Sequence, residues 1–219
     1  PVLLTYNLPI GLDDMFQYDM LARSIVSGNG YRWYAQEDLQ LIQAVLPIQT
    51  PADYDPRGVL TSYRGPGFPL FLAWVYSIAG TGEQRFFFAR LAQAFLTATI
   101  APITYILAHQ LGLQERTTRW AAGILAFYPL LIVYPLALVS ENLFLVLLTL
   151  AVVLVLWVRS DQRWYVALMA GLVLGLAMLT RSVIAGFVPL ALFWLWWSAP
   201  NKRRAVWNGA VLLAGFLAI

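Results

Sequence analysis

Long apolar runs broken by single charges dominate the chain, and their spacing predicts helices that cross a membrane. From Trp120 to Val158 the only formal charge is Glu141. At about 20 apolar residues per crossing, that is room for roughly two spans. Pro129, Pro135 and Ser140-Glu141 mark the turn between them. From Trp164 to Ser198 the only charge is Arg181, which predicts a second hairpin bent at Thr180-Arg181-Ser182. Phe86 to Leu111 reads as one span, with Arg90 in its first turns and Pro102 as a kink. Ala205 opens a further apolar run, so residues 81–219 read as a transmembrane bundle of about six spans.

The first 80 residues have a different rhythm. Residues 13–27 read as an amphipathic helix capped by Asp13, with Tyr18, Leu21, Ala22 and Ile25 on one stripe. Asp19 and Arg23 form an i,i+4 pair on another face, and Gly28-Asn29-Gly30 supplies the stop. This helix is too short to span and is expected to lie along the membrane surface. Phe68 to Ala79, after Arg64-Gly65-Pro66-Gly67, reads as a short interfacial or re-entrant helix. Trp33 to Thr61 has acids, three prolines and no period, and is expected to be loop. Residues 1–80 thus read as a first extracytoplasmic loop carrying juxtamembrane and re-entrant helices.

Composition agrees with a membrane chain: 60% of residues are hydrophobic and 11% charged, where a soluble domain carries about 25% charged. The net charge of +3 is scattered apart from Lys202-Arg203-Arg204, which suits topology rather than nucleic acid. No cysteine is present, so disulfides, thiolate metal sites and a cysteine nucleophile are excluded. The bases of Leu113–Arg119, Arg159–Arg163 and Asn201–Arg204 fall in alternate connections, which the positive-inside rule assigns to the cytoplasm. The opposite side receives the bends at 135–141 and 181 and the segment before Phe86, where Asp13 to Arg64 holds seven acids and four bases. The chain lacks an initial Met and ends within an apolar run, and is expected to be an internal piece of a larger polytopic protein.

This threading gathers Asp13, Asp14, Arg64, Arg90, Glu141 and Arg181 near one outer membrane–water boundary. Charges near hydrocarbon are costly and tend to be functional. A carboxylate there can take a proton from an acceptor hydroxyl, while arginines hold a phosphate that leaves with growing negative charge. A sugar on a lipid phosphate presents its anomeric carbon at this depth, so the set fits glycosyl transfer from a lipid carrier. A divalent cation near Asp14 and Glu141 is compatible with the spacing but not required by it.

Three runs, Asp14-x-x-x-Tyr18-x-x-x-Ala22, Gly28-x-Gly30-Tyr31 and Arg64-Gly-Pro-Gly-Phe-Pro69-Leu-Phe-Leu-Ala, resemble the first outer loop of GT-C glycosyltransferases. The nearest branch holds protein O-mannosyltransferases, aminoarabinose transferases and Rgt-like enzymes. Ala89-Arg90-Leu91, Pro135 with Ser140-Glu141-Asn142, and Leu179-Thr180-Arg181 continue the likeness in order. The resemblance implies an all-α polytopic transmembrane bundle of GT-C type in the plasma membrane, acting at the extracytoplasmic face. Its donor would be a polyprenyl-phosphate-linked sugar and its acceptor a lipid, glycan or protein. Asp14 matches the family's first-loop catalytic Asp. Many members have Asp-Glu there, whereas this chain has Asp13-Asp14-Met15, so the choice between Asp13 and Asp14 stays open. Arg181, with Arg90 and Arg64, would contact the donor phosphate, and Glu141 and Tyr18 would shape the site.

Plainer readings exist for each residue. Asp13 suits a helix cap, Glu141 a helix start, and span-end arginines commonly snorkel to headgroups. A transporter or flippase of lipid-linked or anionic substrates is the alternative function, although such proteins favour midplane charges and internal repeats. A non-catalytic scaffold is the third.

Overall fold

The computed structural model describes every residue except Asn7, Leu12 and Ile48. It is an all-α helical membrane bundle with almost no strand. The chain divides into two compact units, residues 1–92 with 136–139, and residues 93–135 with 140–219.

In the first unit, α1 (Asp14–Val26) begins where the sequence predicts, with Asp13 as its cap. It stops at Ser27, followed by Gly28 and Gly30 at φ +74° and +80°, which Gly adopts without penalty. α1 packs on α3 (Gly67–Ala79), burying Met20, Leu21 and Ala22 on one side and Phe68, Leu72 and Tyr76 on the other. The 13 residues of α3 measure about 20 Å, short of the hydrocarbon thickness.

The stretch expected as loop is partly ordered. α2 (Gln36–Gln43) lies within it, and β1 (Arg32–Trp33) pairs antiparallel with β2 (Val59–Leu60), Arg32 facing Leu60. Two-residue strands are too short to show a period, and α2 has acids in its first turn but no side-chain cap. The hairpin depends on Gly58: at φ +93°, a Cβ there would sit 2.3 Å from the Trp33 carbonyl oxygen. Arg32 Nη1 adds a bond to the Gly58 carbonyl at 2.7 Å, and the Tyr54 hydroxyl donates to the Tyr34 carbonyl at 2.6 Å.

α4 (Arg85–Ala98) and α5 (Ile100–Gln110) follow, with their break at Thr99. Pro102 lies three residues beyond, and its ring crowds the carbonyl four residues back. The second unit continues with α6 (Glu115–Ala126), α7 (Pro129–Val133), α8 (Ser140–Asp161), α9 (Trp164–Thr180), α10 (Phe187–Ser198) and α11 (Lys202–Leu217). Its core joins Leu154, Val155 and Val158 of α8 to Ala167, Ala170 and Leu174 of α9, Val188 and Ala191 of α10, and Leu212 of α11. Small residues let α9 and α11 approach closely. A Cβ on Gly171 would lie 2.0 Å from the Leu212 carbonyl oxygen, and one on Gly215 would lie 2.7 Å from that of Leu168.

Among the described residues, Arg85–Gln110 and Ser140–Asp161 are long and apolar enough to cross a membrane. Glu115–Ala126 with Pro129–Leu136 forms a third candidate, bent by 45°. The expected total of about six crossings additionally requires α9, α10 and α11, which are shorter.

Candidate functional site

Four of the sequence candidates, Asp13, Asp14, Tyr18 and Arg64, meet at the start of α1. Asp13 Oδ1 accepts the Met15 backbone N–H at 2.9 Å, which commits that carboxylate to the helix end. Asp14 is the first helical residue; its side chain is 60% exposed and forms an ion pair with Arg64. Arg64 Nε donates to Gln17 Oε1 at 2.9 Å, and its guanidinium lies over the rings of Tyr18 and Tyr63, 5.2 and 5.3 Å from their centroids. Asp14, Gln17 and Tyr18 stand at i, i+3 and i+4, so one guanidinium reaches all three. Tyr18 is buried edge-on to Phe68, with ring centroids 5.0 Å apart. The Tyr31 hydroxyl donates to the Arg64 carbonyl at 3.0 Å, fixing the backbone ahead of α3.

The electrostatics suit a durable cation beside an accessible acid. Burial lowers the pKa of the Arg64 guanidinium, but Tyr18 and Asp14 outweigh it and hold the group above its ordinary value. Burial first, and Tyr18 second, push the Tyr31 phenol up to about 12, so it remains a donor at neutral pH. A pair as exposed on the Asp14 side as this one contributes about 1 kcal/mol or less, so it opens readily.

Two further candidates pair in the second unit. Glu141 stands in the first turn of α8, and Arg181 ends α9 with an extended backbone, its N–H bonded to the Ala177 carbonyl at 2.8 Å. Their half-exposed side chains form an ion pair. One carboxylate cannot use all five guanidinium N–H groups, so Arg181 retains donors for an anion. Beside them, Asn142 Nδ2 donates to Gln93 Oε1 at 2.8 Å and to the Tyr134 carbonyl at 3.1 Å.

Arg90 differs from the other arginine candidates. It is 1% exposed, and its Nε donates to the Leu136 carbonyl at 2.9 Å. Nη1 donates to the carbonyls of Thr5 and Leu8 at 3.1 and 2.7 Å, and Nη2 to that of Pro9 at 3.2 Å. In this geometry it ties three stretches of backbone together inside the first unit.

The structure bears out the i,i+4 pair of Asp19 and Arg23 and buries its acid. Asp19 is 0% exposed. Its Oδ2 accepts from Arg23 Nε at 2.9 Å and from Arg85 Nη2 at 3.1 Å; its Oδ1 accepts from Arg85 Nε at 2.8 Å and from the Tyr76 hydroxyl at 3.0 Å. Arg23 also pairs with the buried Asp38. Burial pushes the Asp38 carboxyl above its ordinary value, more than Arg23 draws it down. A cleft of about 660 Å³ opens beside this network between Phe16, Leu41 and Phe86. The available signal was an Asp flanked by Tyr18, Met20 and Leu21. Among the described residues, no three His, Asp or Glu side chains gather as a metal site.

A family model described as "Dolichyl-phosphate-mannose-protein mannosyltransferase" matches residues 67–218. The match opens at the first residue of α3, so Arg90, Glu141 and Arg181 lie inside it, and Asp13, Asp14, Tyr18 and Arg64 precede it. No curated protein and no solved structure matches the chain.

Proposed function

The chain belongs to the dolichyl-phosphate-mannose-protein mannosyltransferase family, a GT-C family of membrane glycosyltransferases, and we propose that it moves a sugar from a polyprenyl-phosphate donor to an acceptor hydroxyl at the extracytoplasmic face of the plasma membrane. The family description points to mannose as the sugar and to a protein hydroxyl as the acceptor. Family membership also favours an enzyme over a transporter or flippase.

The observation that carries the reading is the exposed Asp14 carboxylate, held at the α1 terminus by Arg64 while Asp13 is occupied in capping. Asp14 takes the acceptor proton as the acceptor oxygen attacks the anomeric carbon. The bond from that carbon to the phosphate oxygen breaks, the phosphate leaves with the electron pair, and the anomeric centre inverts. Arg64, beside Asp14, neutralises the leaving phosphate, acting where negative charge develops, and Arg181 in the second unit keeps donors for an anion. Glu141 orients Arg181, Tyr18 carries the Arg64 guanidinium, and Arg90 holds the backbone rather than the donor.

The test is transfer from radiolabelled polyprenyl-phosphate-mannose to an acceptor peptide. Asp14→Asn is expected to slow turnover by about 10²-fold or more, the usual worth of a general base. Asp13→Asn, which preserves a capping side chain, is expected to stay near the parent rate. Full activity in Asp14→Asn removes the assignment, and loss confined to Asp13→Asn transfers the role to Asp13.

A further inference from the structure

We propose that Asp19 is a positioning residue for Asp14: its buried carboxylate, gripped by Arg23, Arg85 and Tyr76, fixes the roll of α1 about its own axis and so sets where Asp14 and Tyr18 meet Arg64. The inference rests on the proposed role of Asp14, and nothing in the family match reaches Asp19.

Four charges form a chain inside the first unit, Arg85–Asp19–Arg23–Asp38, two of each sign. Asp19 is fully buried and both of its oxygens accept two hydrogen bonds. Burying ions gains little stability over apolar packing; its best-attested use is to fix one register among several. Here the partners come from separate elements: Tyr76 from α3, Arg85 from the start of α4 and Asp38, through Arg23, from α2. Leu21 and Ala22 bury α1 without specifying its rotation, since apolar contacts tolerate slip. The Arg85–Asp19 contact engages both carboxylate oxygens and does not.

The lever from Asp19 to Asp14 is short. Five residues of α-helix span about 7.5 Å along the axis, and side-chain tips lie about 5–6 Å from it. A roll of about 10° therefore moves the Asp14 carboxylate by about 1 Å. A misplacement of that size in a reacting group costs on the order of a hundredfold in rate. Asp14 itself is exposed and weakly paired, so its position depends on the helix that carries it.

The experiment uses the full-length enzyme and the mannose-transfer assay. Asp19→Asn combined with Arg85→Gln removes one charge of each sign and keeps the network neutral. Its turnover per folded molecule, with folding followed by tryptophan fluorescence on heating, is expected to fall about 30-fold or more. KM for the lipid donor should stay within about twofold, because only uniform binding would move KM alone. Tyr76→Phe deletes a single hydrogen bond to Asp19 without altering charge or shape, and is expected to lower turnover about threefold, again at constant KM. In an Asp14→Asn background, the Asp19→Asn/Arg85→Gln change is expected to cost nothing further, since both act through one carboxylate. Parent-like turnover in folded Asp19→Asn/Arg85→Gln protein, or in Tyr76→Phe, overturns the proposal, as does a fully additive loss with Asp14→Asn. A fully active Asp14→Asn enzyme instead removes the catalytic reading; a slow one beside a normal Asp19→Asn/Arg85→Gln enzyme removes only the role of Asp19.

Discussion

The two units are held together by opposite means. In the first, single polar atoms do the joining: Asp19 collects Tyr76, Arg23 and Arg85, and Arg90 collects four carbonyls from residues 5–9 and 136. In the second, surfaces do it, with alanines and glycines of α9 pressed against α8 and α11 and apolar side chains closing the rest. The first unit therefore responds to changes in charge and donor geometry, the second to changes in volume. The exposed Asp14–Arg64 pair lies within the first unit and takes its place from the helix that carries Asp14.

That contrast can be broken most sharply at Arg90. Replacing it by Met keeps the bulk but orphans four carbonyls, each of which loses about 1–3 kcal/mol when buried without a donor. Allowing for relaxation, Arg90→Met is expected to lose about 4 kcal/mol in denaturant unfolding in detergent micelles. The counterpart in the second unit is Gly171→Ala, which adds one methyl and no charge. Its Cβ would fall 2.0 Å from the Leu212 carbonyl oxygen, so α9 and α11 must separate. The expected loss is about 2–3 kcal/mol by the same measurement, as for other overpacked cores. A neutral result for either change would dissolve the distinction between the units.

The smallest effect sharpens it at the hairpin. Asp55 is held down to about 2, first by hydrogen bonding to Arg57 and further by the Arg57 and Arg32 charges. Because the folded value lies below the unfolded one, the contribution of Asp55 is complete above about pH 4. It fades as the pH falls through about 2. A carboxyl titration followed by NMR should show Arg57→Ala raising this midpoint toward the ordinary carboxylate value. The Asp14→Asn enzyme titrated in parallel should leave the Asp55 midpoint in place.

Much of the framework was legible along the chain. The cap at Asp13, the stop at Gly28, the helix start at Ser140-Glu141 and the bend at Arg181 all lie where isolated polar residues interrupt apolar runs, because such interruptions are where backbone bonds must end. The Asp19–Arg23 pair was legible from its i,i+4 spacing, but the burial of Asp19 was not. Its other partners stand 57 and 66 positions away, and nothing local announces them. Arg90 pairs with carbonyls, which every residue carries and no sequence displays. The hairpin at Arg32 and Val59 escaped for want of length, and only Gly58 marks it. For the candidate site, residue types and order were readable. Which arginine faces solvent and which is consumed by the scaffold required the packing.

The knot around Arg90 also orders events in time. Thr5, Leu8 and Pro9 leave the ribosome before the guanidinium that satisfies them, which lies more than eighty residues later, and its last acceptor, Leu136, comes later still. During synthesis residues 5–9 must wait, partly unsatisfied, until that later chain is made. Residues 5–9 are thus completed by chain made long after them.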